Sequence, residues 1–210
     1  MRELKKYLFL IVALVLFICP MQVQAAKKKD VKQITKQVDS YMSAVKKYDI
    51  KKIKKDNNNI PVYHWTDKKI QKHIRAVNKK YLTYSIKKIS VKGDSATAYL
   101  RVSNYSLYED SSTAMYRLVF NYHKKWGSKK TVKTYFNFMI EEYNDNIDYY
   151  ADKPDELKIQ RIFEHDTRIP LKKVSGKWKI SKITKAMVWD LDGGSSEFID
   201  DFEKDPSIIF

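Results

Sequence analysis

Glu164-His165-Asp166 sets an imidazole between two carboxyl groups, the residue types that general acid–base chemistry uses. Such a group works near neutral pH when an apolar cavity desolvates it and moves its pKa. Neighbours on a strand point to opposite faces, so His165 cannot share one face with both acids. The tripeptide therefore reads as a surface turn just before a predicted strand. The other histidines offer less. His64 and His73 lie nine residues apart, on a loop and a charged helix, a spacing that suits no zinc site, and His123 sits beside Lys124 and Lys125. Asp190-Leu191-Asp192-Gly193-Gly194 has part of a calcium loop. In the EF-hand frame, however, positions one and twelve are Val188 and Ile199, which carry no ligand oxygen, so it reads as a turn entering a polar tail. No Gly-rich phosphate loop is present, and Gly193-Gly194-Ser195-Ser196 lacks the strand and the second glycine of a nucleophile elbow. No catalytic residue, metal or cofactor is expected.

Binding chemistry is better represented. The chain has fifteen tyrosines, and aromatic rings interleaved with lysine can stack sugars or bases or line a groove. Trp65, Tyr99, Tyr116, Tyr135 and Trp178 are the candidate ligand contacts, although most such rings simply bridge a core to water. Lys46, Lys47, Lys51, Lys52, Lys54 and Lys55 form a basic patch by closeness in sequence. Residues 26–93 carry twenty Lys/Arg against five Asp/Glu, whereas residues 190–210 carry one against seven. A basic chain of this kind is drawn to polyanions. Lysine outnumbers arginine thirty-five to six, and lysine also makes ordinary solvated helix faces.

The elements that would hold these groups follow from periodicity. Asp30 is placed to cap a helix whose apolar face is Ile34, Val38, Tyr41, Met42, Val45 and Tyr48. A short helical turn follows from Asp49 to Lys55, and Pro61 marks a break. Ile70, Ile74, Val77 and Tyr81 give the next helix. Tyr84, Ile86, Ile89 and Val91 read as a strand with one slip, Gly93-Asp94 as a tight turn, and Ala96 to Tyr105 as the returning strand. Helical spacing resumes in Met115, Leu118, Val119, Tyr122 and Trp126, and again in Val132, Tyr135, Phe136, Met139, Ile140 and Tyr143. Leu157 to Phe163 fits helix or strand. Thr167 to Val174 reads as a strand that Pro170 confines to an edge or bulge. Ser175-Gly176 turns the chain into Lys177 to Ile183, and the acidic end is helical at most from Ser196 to Phe202.

The first residues predict export. Arg2, Lys5 and Lys6 precede an apolar run from Leu8 to Ile18, and Val23-Gln24-Ala25 offers small residues for cleavage before Ala26. Eleven apolar residues are too few to span a bilayer comfortably. Residues 1–25 are thus expected to be a signal peptide, with the mature protein secreted or extracytoplasmic. Ile18 before Cys19 is too large for a lipoprotein cut, so no lipid anchor is expected at Cys19. That cysteine is the only one, which leaves the mature chain without a disulfide or thiolate ligand. The expected organisation is one domain over 26–189, with a helical insertion at 110–150, and an acidic tail over 190–210.

Three segments carry a family resemblance. They are Tyr41-Met42-Ser43-Ala44-Val45-Lys46-Lys47-Tyr48-Asp49, Val91-Lys92-Gly93-Asp94-Ser95-Ala96-Thr97-Ala98 and Gly176-Lys177-Trp178-Lys179-Ile180. In order and content the chain resembles the nuclear-transport-factor-two-like, cystatin-like superfamily over roughly residues 30–185. It is most similar to secreted and lipoprotein members of unassigned function from Gram-positive bacteria. The resemblance implies an α+β fold with N-terminal helices packed on a curved, cone-like antiparallel sheet, and a helical insertion lies between its two hairpins. It implies no reaction, because one fold hosts many functions. The expected function is a non-catalytic binding or structural domain at the bacterial cell envelope. The alternatives are an isomerase- or hydrolase-like enzyme using the cone cavity, and a basic polyanion-binding protein. An anionic cell-wall polymer or a membrane surface is the expected partner. Homodimerisation stays open, and nucleic acid is disfavoured.

Overall fold

The computed structural model describes residues 28–55, 68–123, 125 and 128–204, with side chains omitted at 54, 55, 129 and 200. The segment 1–25 expected to be a signal peptide, His64, Trp65 and Trp126 lie outside the described residues, as do the side chains of Lys54 and Lys55. The fold is α+β. Helices α1 (28–46), α2 (Ile50–Lys55) and α3 (Lys68–Tyr81) precede strands β1 (Thr83–Lys92) and β2 (Ser95–Tyr105). Helices α4 (Leu107–Tyr116), α5 (Lys129–Tyr149) and α6 (Pro154–Arg161) come next. Strands β3 (Ile162–Val174) and β4 (Lys177–Ile180) and helices α7 (Lys185–Asp192) and α8 (Ser195–Lys204) complete the chain.

The sheet is antiparallel and open, in the order β1-β2-β3-β4. Its two hairpins are the predicted ones. Gly93 turns the first at φ +58°, and Ser175 and Gly176 turn the second at φ +49° and +74°, the left-handed pair that a tight hairpin of this twist requires. The slip in β1 is a register shift between Ile86 and Lys88. The helical insertion between the hairpins runs from Leu107 to Arg161, wider than the expected 110–150. Helix α4 ends in a π turn over Arg117–Asn121, where Tyr122 N donates to Arg117 O at 3.2 Å.

Alternation decides the inner face. Ala96, Ala98, Leu100 and Val102 of β2 are buried with Ile169 and Leu171 of β3 and with Trp178 and Ile180 of β4. The stripe Ile34, Val38, Tyr41, Met42, Val45 and Tyr48 is buried throughout, as the helical period requires. Helix α3 contacts β2, α5 and α7, while α4 contacts α5 and α8.

Four expectations are corrected here. Asp30 lies within the first helical turns of α1, where it accepts from Lys173 Nζ at 2.8 Å and Trp178 Nε1 at 3.0 Å, so it ties α1 to the β3–β4 hairpin rather than capping the helix. Strand β3 begins at Ile162, so residues 164–166 lie inside a strand and not in a turn. That strand is an inner one. Pro170 is tolerated because the β4 ladder stops at Leu171–Ile180, and the Pro170 carbonyl faces Ser181 N at 2.9 Å where the missing N–H has no strand to meet.

The fourth correction concerns residues 190–204, which are helices α7 and α8 packed into the core and not a polar tail. Leu191, Phe198, Ile199 and Phe202 are buried there. Each contributes about 1.5–3 kcal/mol. Charges on a wet surface are worth about 1 kcal/mol or less each. Burial therefore outweighs the acidic character that makes this segment look like a tail.

Candidate functional site

Two polar assemblies stand out, one buried and one open. The buried one is built by α7. Thr184 caps this helix by accepting from Met187 N at 3.2 Å, and Gly193 ends it at φ +61°. Asp190 is thereby brought under β3, where Oδ1 lies 2.6 Å from His165 Nε2 and Oδ2 accepts from Thr167 Oγ1 at 2.9 Å. Burial raises the Asp190 carboxyl above the ordinary range, and the His165 contact opposes that shift. The Trp189 ring meets the imidazole edge-on at 4.7 Å between centroids. Glu164 and Asp166, on the opposite face, bind Arg101 at 3.5 and 3.1 Å, as strand alternation demands.

An Asp-oriented imidazole is half of a nucleophilic or general-base site. Here the hydroxyl at hand, Thr167, is spent on the same aspartate, and no hydroxyl among the described residues bonds the other ring nitrogen. The pair acts as a latch between β3 and α7. Asparagines extend it. Asn78 Nδ2 donates to Val45 O at 3.2 Å and Leu191 O at 2.8 Å, and Asn104 Nδ2 donates to Asn78 Oδ1 at 3.0 Å.

Two more buried carboxyls escape a reading of the sequence. Burial pushes Asp192 up to about 7, against hydrogen bonds from the Ser196 hydroxyl and Gly194 N. It pushes Asp110 up to about 7 as well, although Arg161 Nη1 stands 3.7 Å away and Asn146 Nδ2 donates at 2.9 Å. His73 is pushed down to about 4 by burial against Tyr143, so it stays neutral at physiological pH. No group of three or more metal-ligating side chains occurs among the described residues.

The open assembly is basic. A hollow of about 610 Å³ between α1, α2 and α3 is lined by Lys47, Lys51, Gln71 and Arg75. Its acid, Asp49, is occupied in capping α2 by accepting from Lys52 N at 3.1 Å. A second groove of about 480 Å³ between α1 and β4 is lined by Lys36, Lys177, Lys179 and the edge of Trp178. Arg75 is distinctive. Arg101, Arg117 and Arg161 pair with acids, and Arg168 lies over the Tyr99 ring. Arg75 instead donates from Nε to Lys47 O at 2.9 Å, and its terminal nitrogens make no hydrogen bond among the described residues. A guanidinium held in this way presents two parallel donors to an oxyanion.

No family model, curated protein or solved structure matches this chain.

The candidate residues are dispersed. Tyr99 is on the outer sheet face, and Tyr116 is exposed and stacked on Phe120. Tyr135 is fully buried in α5, and Trp178 is 4 % exposed with its indole N–H held by Asp30. The lysine patch divides. Lys46 Nζ turns away to Leu82 O at 3.0 Å, Lys47 and Lys51 enter the α1–α3 hollow, and Lys52 lies beside the α1–β4 side of α2. Lys36, Arg75, Lys177 and Lys179 are absent from that patch because they come from distant parts of the chain. A lone arginine in a lysine-rich helix is the one local signal that could have singled out Arg75.

Proposed function

We propose that this protein is a non-catalytic binding domain that works outside the cytoplasm, at the bacterial cell envelope, and that its ligand is an anionic polymer of that envelope. The observation that carries this reading is the convergence of Lys36, Lys177 and Lys179 on one open groove and of Lys47, Lys51 and Arg75 on another, with no acid left uncommitted in either. The signal-like segment before Ala26 supports the compartment, since it has the charged start, apolar core and small-residue cut of an exported chain. The resemblance to cystatin-like envelope proteins fits the same reading. No helix among the described residues is long and apolar enough to cross a membrane.

The test is retention on an immobilised polyanion such as heparin, with elution by salt. The wild type should elute well above a neutral control. Lys47→Gln/Lys51→Gln and Lys177→Gln/Lys179→Gln should each elute earlier. Lys46→Gln, at a lysine already bound to a carbonyl, should elute close to the wild type. Elution of the wild type with the neutral control would leave the charge as a solubilising device and end the proposal.

A further inference from the structure

We infer that the ligand is an extended chain lying lengthwise along α1, bridging both basic grooves, and not a small anion held in either one. This rests on the polyanion reading above and adds the geometry and minimum length of what is bound.

The warrant is the continuity of the surface. Gln33, Gln37, Ser40, Ala44 and Lys47 recur at three- and four-residue spacing, which places them in one row along α1. Gln33, Gln37 and Ser40 border the groove beside β4. Gln37 and Ser40 also border a small crevice of about 20 Å³ that reaches Lys52 of α2 and is closed beneath by the buried Ala44, Ile53 and Ile180. Lys47 borders the hollow that contains Arg75. Lys51 and Lys52, neighbours in α2, border the depressions on the two sides of that helix, so the three succeed one another from β4 to α3 past the end of α1. At 1.5 Å of rise per residue, the row from Gln33 to Lys47 is about 21 Å long.

Charge is concentrated at the two ends of this row. Lys36, Lys177 and Lys179 stand at one end, and Lys47, Lys51 and Arg75 at the other, with Lys52 between them. The middle presents the half-buried side chains of Gln37 and Ser40, with Ala44 buried beneath them. A neutral polar floor between cationic ends suits a hydrophilic chain whose charges recur along its length. Arg75 is the fixed point, because its Nε is already held by Lys47 O and its remaining donors can grip one tetrahedral oxyanion. The lysines, as flexible point charges, can follow the rest of the chain.

Two ends joined by one ligand should behave as a bivalent site. The experiment uses the full-length chain and inorganic polyphosphate of defined lengths, from triphosphate to chains well beyond 20 Å, with affinity read at several salt concentrations. Affinity should rise steeply with length until the chain spans both ends, about 21 Å. Beyond that it should rise only with the number of registers available. Lys177→Gln/Lys179→Gln should weaken long chains by about 10- to 100-fold and triphosphate by no more than about two-fold, since triphosphate can still use the other end. Arg75→Gln should act in the same way at its own end. Because Arg75 also holds Lys47 O, Lys47→Gln/Lys51→Gln serves as the second variant there, with a thermal melt to show that the fold is intact.

If long chains and triphosphate bind alike, or if each variant weakens both probes equally, the grooves are independent anion sites. The lengthwise ligand is then wrong while the polyanion reading stands. If no polyphosphate of any length binds, both fall.

Discussion

His165 Nε2 and Asp190 Oδ1 lie 2.6 Å apart and join the inner face of strand β3 to the last turn of helix α7. The contact sits where an acidic C-terminal segment has to be held against a sheet, and it is fully screened from water on the aspartate side. Removing one partner of a buried pair leaves the other uncompensated. His165→Ala and Asp190→Ala should therefore each cost about 3 kcal/mol in urea unfolding. Hydrogen exchange should accelerate in residues 185–204 more than in β1. Uniform acceleration across the chain would show that the pair is not a local latch.

The buried carboxyls set a pH dependence. Asp110 and Asp192 are raised from an ordinary 3.8 to about 7 in the folded protein. A raised carboxyl binds its proton more tightly in the folded state. Its contribution is full below the unfolded pKa and is lost as pH rises through the folded one. Thermal stability carried by these groups should thus decline between about pH 4 and pH 7. Asp110→Asn and Asp192→Asn should each flatten that decline, since Asn offers one acceptor and one donor side as a protonated Asp does. Melts across this range that keep the wild-type slope in both variants would contradict the assignment. Asp30 works in the opposite sense. Lys173 and Trp178 hold it below the usual range, so its contribution disappears as pH falls.

Gly193 and Gly93 share a left-handed backbone but differ in their surroundings. A Cβ at Gly193 would lie 2.5 Å from the Tyr105 carbonyl oxygen, whereas a Cβ at Gly93 would meet open space. Gly93→Ala should cost about 1–2 kcal/mol for the backbone alone. Gly193→Ala adds a clash with main chain that cannot rotate away, and it strains the bond from Leu107 N to Gly193 O at 2.8 Å. Its total should exceed about 3 kcal/mol in denaturant unfolding. Equal costs at the two sites would mean that the α4–α7 junction yields easily.

Asn78 is the buried node between α1, α3, β2 and α7. Asn78→Ala would remove a donor from Leu191 O and from Val45 O, which keeps Tyr48 N at 2.9 Å, and would leave Asn104 Nδ2 with Asp190 O at 3.4 Å. Each orphaned group costs about 1–3 kcal/mol, less whatever water restores. A loss of about 1–3 kcal/mol is expected by chemical denaturation. Asn104→Ala should be milder, and the double variant should cost less than the sum of the two, because they share a bond.

Most of the elements are legible along the chain, because their signals are local. The stripe from Ile34 to Tyr48, the face Ile70, Ile74 and Val77, the turns at Gly93 and at Ser175-Gly176, and the strand alternation from Ala96 to Val102 each lie within one window of periodicity. What those elements hold depends on contacts between parts of the chain far apart in sequence. Charge made residues 190–204 look like a tail, yet Phe198, Ile199 and Phe202 are buried, and Asp190 finds its partner twenty-five positions back on β3. Nearness in sequence grouped Lys46 with Lys47, yet the helix sends one to the Leu82 carbonyl and the other into a groove with Arg75. Periodicity reports which face of an element is apolar. It carries no information about which distant element that face will meet, and the latch and both grooves are made at such meetings.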